Sequence, residues 1–214
     1  MIAASLPSSP LRVLCLGAHA DDIEIGCWGL VKGLIGEARI AEMRFVIFSA
    51  TGDRAREAEA SAAQLSNDVS VEIHAFRERY FPYEPGVKET ADKLGPSAPD
   101  LVLTPWWYDA HQDHRLVGEI AVQTFRSSLI LGYEIPKYDG DLGRPTVYAP
   151  LTSEMADQKL DHLLSAFPSQ ASRSWYRREV FSGLLHLRGI ECQAESGMAE
   201  AFHAQKIRLG WGSE

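Results

Sequence analysis

The chain has 214 residues, long enough for one α/β domain with a sizeable core. Its 45% apolar and 23% charged composition is that of a globular protein rather than a disordered one. With 21 Lys and Arg against 29 Asp and Glu, the net charge of −8 argues against a nucleic-acid partner and against an anionic membrane surface, since both need clustered cations.

The first ten residues, "MIAASLPSSP", read as a flexible tail, with neither the basic nor the apolar region of a signal peptide. Residues 11–214 are taken as a single domain. "RVLCLGA" (12–18) is a continuous apolar run, as expected of a strand buried on both faces of a parallel sheet. Residues 25–37 carry Trp28, Leu30, Val31, Leu34 and Ile35 at helical spacing. "FVIFSA" (45–50) is a second strand, followed by a helix over 56–66 and a third strand over 69–76. A helix near 87–94, a strand at 99–106, a helix from His114 to Arg126 and a strand at 127–135 continue the alternation. This predicts a Rossmann-like three-layer α/β/α fold with a mostly parallel sheet. After about residue 140 the pattern changes to a helical or mixed C-terminal extension. One helix there runs over 153–167 with Ser153 as N-cap, and a second lies near 172–187.

No stretch reaches the roughly 18 apolar residues of a membrane span. Cys15, Cys27 and Cys192 form no CxxC pair and are odd in number, the usage of a reducing compartment, so a cytoplasmic location is expected.

Ligands of open α/β sheets bind beyond the carboxyl ends of the strands. The loop after the first strand there carries His19, Asp21, Asp22 and Glu24, and the loop after the fourth carries Asp109, His111, Asp113 and His114. Either loop alone is most simply a solvated turn, but two in one chain argue for a site. A mixed imidazole and carboxylate set with an open position suits a catalytic zinc ion, and Fe²⁺ or another divalent transition metal would accept the same donors. A neighbouring carboxylate can take a proton from a metal-acidified water, and a further histidine can donate to an oxyanion.

"AHADDIEIG" followed by "DAHQDHR" resembles the PIG-L / LmbE-like zinc-dependent N-deacetylases. The turn "TGD", the helix start "REAEASAAQL" at Arg56 and Glu59, and "AEAF" at 199–202 extend that resemblance over most of residues 12–205. The resemblance implies His19, Asp22 and His114 as metal ligands and Asp21 as the general base. It implies His111 as general acid or oxyanion stabiliser, with Asp113 orienting it. Ala20 stands where the family usually has proline, Ile23 where many members have Glu, and Trp28 where a Gly-Gly pair is common; Trp28 is read as core.

Substrate contacts are expected from Arg56 by resemblance, and from Asp109, Trp106 and Trp107 beside the second loop, since rings next to a sugar site stack on pyranose faces. The competing reading puts the tryptophans in the core. Glu24 is left as an acid favouring the helix dipole, Glu200 as either a brace for the site or part of an amphipathic segment, and "FRERYFPY" (76–83) as a solvated turn with a packed edge in preference to a rim for an anionic substrate. His74, His162, His186 and His203 are read as structural or surface residues.

The sequence thus predicts a hydrolase that removes the N-acetyl group from a small N-acetylated amino sugar or its conjugate. The alternatives are an amidase on another N-acyl group, such as a thiol conjugate or antibiotic sugar, and a non-catalytic sugar- or nucleotide-binding protein. A dinucleotide-binding role is disfavoured because "GAHADD" lacks G-x-G-x-x-G. Membership of such a family is compatible with a homo-oligomer.

Overall fold

The structure, a computed structural model, describes residues 3–208. The ends of the expected tail and of the expected 11–214 domain, residues 1–2 and 209–214, lie outside the described residues. Five parallel strands come first in the chain: β1 (Leu11–His19), β2 (Ile40–Ser49), β3 (Val69–Ile73), β4 (Leu101–Pro105) and β5 (Leu129–Tyr133). Two antiparallel strands, β6 (Val147–Pro150) and β7 (Ala199–Ala204), complete one sheet in the order β3-β2-β1-β4-β5-β7-β6.

Strand β1 shows why its run is uninterruptedly apolar. Alternate side chains point to opposite faces, and both faces are covered. Val13 and Cys15 join a core with α1 (Asp22–Gly36), α2 (Gly52–Leu65), α5 (Ser153–Ala166) and α6 (Arg178–Cys192). Leu14 and Leu16 join a second core with α3 (Pro85–Leu94) and α4 (Gln112–Thr124). The predicted three-layer α/β/α fold is therefore the observed one. Because β1 pairs with both β2 and β4, the strand order reverses there. That reversal sets the loops after β1 and β4 side by side.

Several boundaries differ from the sequence reading. The second C-terminal helix starts at Arg178 rather than near 172, because Pro168–Gln170 form a 3₁₀ turn and the serine-rich segment after it stays a loop. Thr152, not Ser153, caps α5: its Oγ1 accepts the Met155 N–H at 3.1 Å. "AEAF" is strand β7, whose polar Glu200 and His203 are buried with its apolar residues and so hide the alternation. The tail is tethered at Leu6, which packs on the core and whose carbonyl accepts from Arg39 at 2.8 Å. No helix among the described residues is long and apolar enough to cross a membrane.

Helix α1 is broken. Cys27 has φ −146° and ψ 17°, so the backbone ladder is interrupted one turn after Asp22. The orphaned groups are met by a buried ion pair. Glu200 accepts the N–H of Gly29 at 2.7 Å and of Leu30 at 2.8 Å, while Lys159 Nζ donates to Ile25 O at 2.7 Å and to Glu200 Oε1 at 2.7 Å. Gly26 is required here, since a Cβ would lie 2.1 Å from the Tyr133 ring.

Candidate metal centre and active site

The loop after β1 turns directly into α1, and Asp22 folds back so that its Oδ2 accepts the His19 N–H at 2.8 Å. His114, on the first turn of α4, arrives from the other side of the strand reversal. His19 Nδ1 and His114 Nε2 are 3.0 Å apart, and Asp22 stands 3.6 Å from the former and 3.4 Å from the latter. Donors about 2.0–2.1 Å from one tetrahedral ion are separated by about 3.3 Å, so these three side chains fit a divalent transition metal. His111 is also near: its nearest ring nitrogen and those of His19 and His114 all lie within 4.8 Å of one another.

The other nitrogens of the two imidazoles are braced by carboxylates. His114 Nδ1 meets Asp109 Oδ2 at 3.0 Å, and His19 Nε2 meets Asp113 Oδ2 at 3.3 Å. Such partners fix the ring and its tautomer and raise the basicity of the free nitrogen. Burial opposes a charge on His19, yet the carboxylates of Asp22 and Asp113 raise its pKa to about 10. A pocket that attracts a proton so strongly attracts a metal cation by the same field. Burial likewise opposes ionisation of Asp22, but His114 and His19 hold it well below the usual carboxylate range. Asp109, opposed by burial and favoured by His114 and Lys137, is held down to about 2.

Asp113 therefore differs from its expected placement. Its carboxylate accepts from His19 and from the N–H groups of Arg79 (2.5 Å) and Phe81 (3.4 Å). It is the Asp113 backbone N–H that reaches His111, donating to Nδ1 at 3.3 Å. A ring that accepts at Nδ1 carries its proton at Nε2 when neutral, which leaves Nε2–H as a donor. Burial and the neighbouring His114 and His19 lower the His111 pKa and favour that neutral form.

Asp21 occupies the N-cap position of α1, but its carboxylate makes no capping bond. It is 3% exposed and 3.6 Å from Arg54 Nη2. Burial, then the charge of Asp22, raises its pKa, which suits a group that takes up and releases a proton. Glu24 stands in the first turn of α1, where an acid meets the helix dipole, but it does more than that. It is buried, Ser61 Oγ lies between its Oε1 (2.6 Å) and His162 Nε2 (2.7 Å), and burial raises its pKa to about 8.

Above this floor opens a cleft of about 470 Å³ that includes His19, Asp21, Asp22, His111 and His114. The sequence-chosen substrate residues mostly lie elsewhere. Arg56 is exposed, pairs with Asp53 and lines a different depression. Arg54, two residues earlier, is the arginine that faces the cleft. Trp106 stacks on His203 at 4.1 Å and 11°, and Trp107 packs against the second core; neither lines the cleft. Asp109 sits behind His114, where Lys137 Nζ donates to it at 2.8 Å. The turn at 76–83 contributes Glu78 and Arg79 to the rim, so it is more than a solvated turn.

Sequence reasoning missed Lys137, Tyr138, Arg173 and Trp175, all of which line the cleft. They come from loops that no motif marks, and Trp28, by contrast, is core as expected.

A family model described as "PIG-L: GlcNAc-PI de-N-acetylase" matches residues 14–125. Among solved structures, a conserved protein of Thermus thermophilus superposes with a TM-score of 0.75 at 20% identity, covering 95% of this chain and 100% of that one. The N,N'-diacetylchitobiose deacetylase of Pyrococcus horikoshii gives 0.71 at 20% identity, over 91% of this chain and 84% of that one. The 4-carboxy-2-hydroxymuconate hydratase of Pseudomonas putida gives 0.72 at 18%, over 95% and 100%. The shared fold thus carries more than one chemistry, and the side chains must decide between them.

Proposed function

The chain belongs to the PIG-L, or GlcNAc-PI de-N-acetylase, family, and from that premise we propose that it is a metal-dependent N-deacetylase acting on an N-acetylated amino sugar or its conjugate. The single observation that carries the reading is the convergence of His19 Nδ1, His114 Nε2 and the Asp22 carboxylate, with Asp21 and His111 beside them in one cleft. His19, Asp22 and His114 would hold a divalent ion, which would supply Lewis acidity for the amide carbonyl and a more acidic water. Zn²⁺ is the proposed ion, with Fe²⁺ the nearest alternative for this donor set.

The protein's own groups do the rest. Asp21, buried and free of capping duty, accepts the proton of the attacking water and returns it to the leaving amine. His111, holding its proton at Nε2, donates to the oxygen that becomes negative as the carbonyl carbon turns tetrahedral. Asp109 and Asp113 keep the two ligand imidazoles in register. The free cysteines fit a reducing compartment such as the cytoplasm.

Primary-amine release over a panel of N-acetylated sugars tests this. Exhaustive chelation should abolish activity and added metal restore it. Asp21→Asn should lower kcat by about 10²–10⁴ with metal content retained, whereas His19→Ala and Asp22→Ala should lose the metal. Full activity in the chelated protein overturns the proposal.

A further inference from the structure

Asp109 holds more of the centre than the His114 ring. Its Oδ2 meets His114 Nδ1 at 3.0 Å, and its Oδ1 accepts the His111 N–H at 2.7 Å. One buried carboxylate thus sets both a ligand imidazole and the main chain of the residue assigned to the oxyanion. Its third partner is a cation. Lys137 Nζ donates at 2.8 Å to Oδ2, the same oxygen that meets His114.

Lys137 belongs to the loop after β5, outside both ligand loops, and its ammonium is fully engaged. Its Nζ lies 3.0 and 2.8 Å from the two oxygens of Asp141 and 3.4 Å from Ile135 O, and its side chain is only 8% exposed. Asp141 Oδ2 in turn accepts the Ala110 N–H at 2.7 Å. The loop after β5 is therefore fastened to the loop after β4 at two successive residues, the side chain of Asp109 and the main chain of Ala110. Joining the loops needs only the second of these bonds, which calls for no buried cation. What the lysine alone supplies is a positive charge at Asp109, in a centre where Asp21, Asp22, Asp109 and Asp113 are all buried carboxylates. That charge opposes any swing of Asp109 away from His114, because the oxygen that would leave the imidazole would also leave the ammonium.

We propose that Lys137 is a positioning residue of the metal centre: by holding the Asp109 carboxylate it keeps the His114 imidazole aimed at the ion. The inference rests on the metal-dependent reading of the site and adds a determinant of metal affinity from a third loop. Lys137 acts through Asp109 and makes no contact with a ligand side chain of its own.

Competition with a chromophoric chelator gives the zinc dissociation constant of the folded protein, and urea titration of the metal-free protein gives its stability. Lys137→Met should weaken zinc binding by about 10–100-fold, the usual effect of removing an outer partner of a metal-bound imidazole. In an Asp109→Asn background the same substitution should add little, since the lysine works through that carboxylate. Lys137→Gln keeps a donor and removes only the charge; it should weaken zinc binding in the same direction, and it answers the question if Lys137→Met does not fold. Unchanged zinc affinity in either folded variant overturns the role, as does a loss that is just as large in the Asp109→Asn background. So does a fall in metal-free stability with zinc affinity intact, which is what a clamp between loops would give. A native protein that binds no zinc overturns the metal-dependent reading and the role of Lys137 together.

Discussion

The residues of the candidate centre divide by how they can be recognised. His19, Asp21, Asp22, His111 and His114 were legible because each stands beside others of the set in one of two short loops, although the closest approach, His19 to His114 at 3.0 Å, joins the two. Arg54, Lys137, Arg173 and Trp175 were not, because only the folded chain brings them to the cleft. Trp106 was misleading for a related reason: it adjoins the second loop in sequence, yet its ring lies flat on His203. That stack has a pH consequence. Burial, then the charge of Arg188, lowers the His203 pKa to about 4. Between about pH 6.5 and 4 the unfolded chain therefore binds a proton at this residue that the folded chain does not, and stability falls as the pH falls through that window. His203→Phe should keep the stack and flatten this part of the stability curve. Urea midpoints at pH 7, 5.5 and 4.5 check it, and an unchanged slope in the variant refutes it.

At the scale of elements, the β–α alternation through residue 135 could be read from period and turn residues, since β1, β4 and β5 are buried on both faces and the edge strand β3 alternates. β6 escaped because it is only four residues long, and β7 because it carries Glu200 and His203 inward. Of the two, Glu200 repairs α1. With the helix broken at Cys27, the Lys159–Glu200 pair replaces the missing ladder bonds on both sides of the break. Removing one member leaves the other charged and buried, so Lys159→Met or Glu200→Leu alone should each cost about 3–5 kcal/mol. The double variant should lose less than the sum, and denaturant titration of the four proteins measures the coupling. Additive losses would mean that the pair acts as two independent contacts. Asp22 lies on the turn before the break, so the same variants should also weaken metal binding.

Over the whole molecule, the sheet order explains why two loops nearly a hundred residues apart in the chain meet at one candidate metal centre. The reversal at β1 and β4 places both at the same edge, and this much followed from the predicted doubly wound sheet. What the sequence lacked was the distance between them, which packing of α1 and α4 on opposite faces sets. A centre that joins both halves of the sheet couples metal occupancy to global stability. At a metal concentration 1,000 times Kd the folded state gains about 4 kcal/mol, or roughly 8–16 °C in Tm for a chain of this length. Thermal melts with and without zinc should show that rise in the native protein and none in Asp22→Ala.

Ser174 Oγ and Tyr138 OH lie 2.7 Å apart and tie the loop between α5 and α6 to the loop after β5, which has a consequence for how the cleft is built. Every side chain assigned to metal or proton transfer lies within residues 14–125, the part matched by the family model. The wall of the cleft is mixed: Arg54, Glu78 and Arg79 lie within that stretch, while Tyr138, Arg173 and Trp175 follow it. Lys137 apart, the part of the wall that follows residue 125 can therefore be changed without touching any residue proposed to hold or position metal or move a proton. Exchanging the tethered pair of loops together, rather than either one singly, is the economical way to redirect this protein to a different acylated amine.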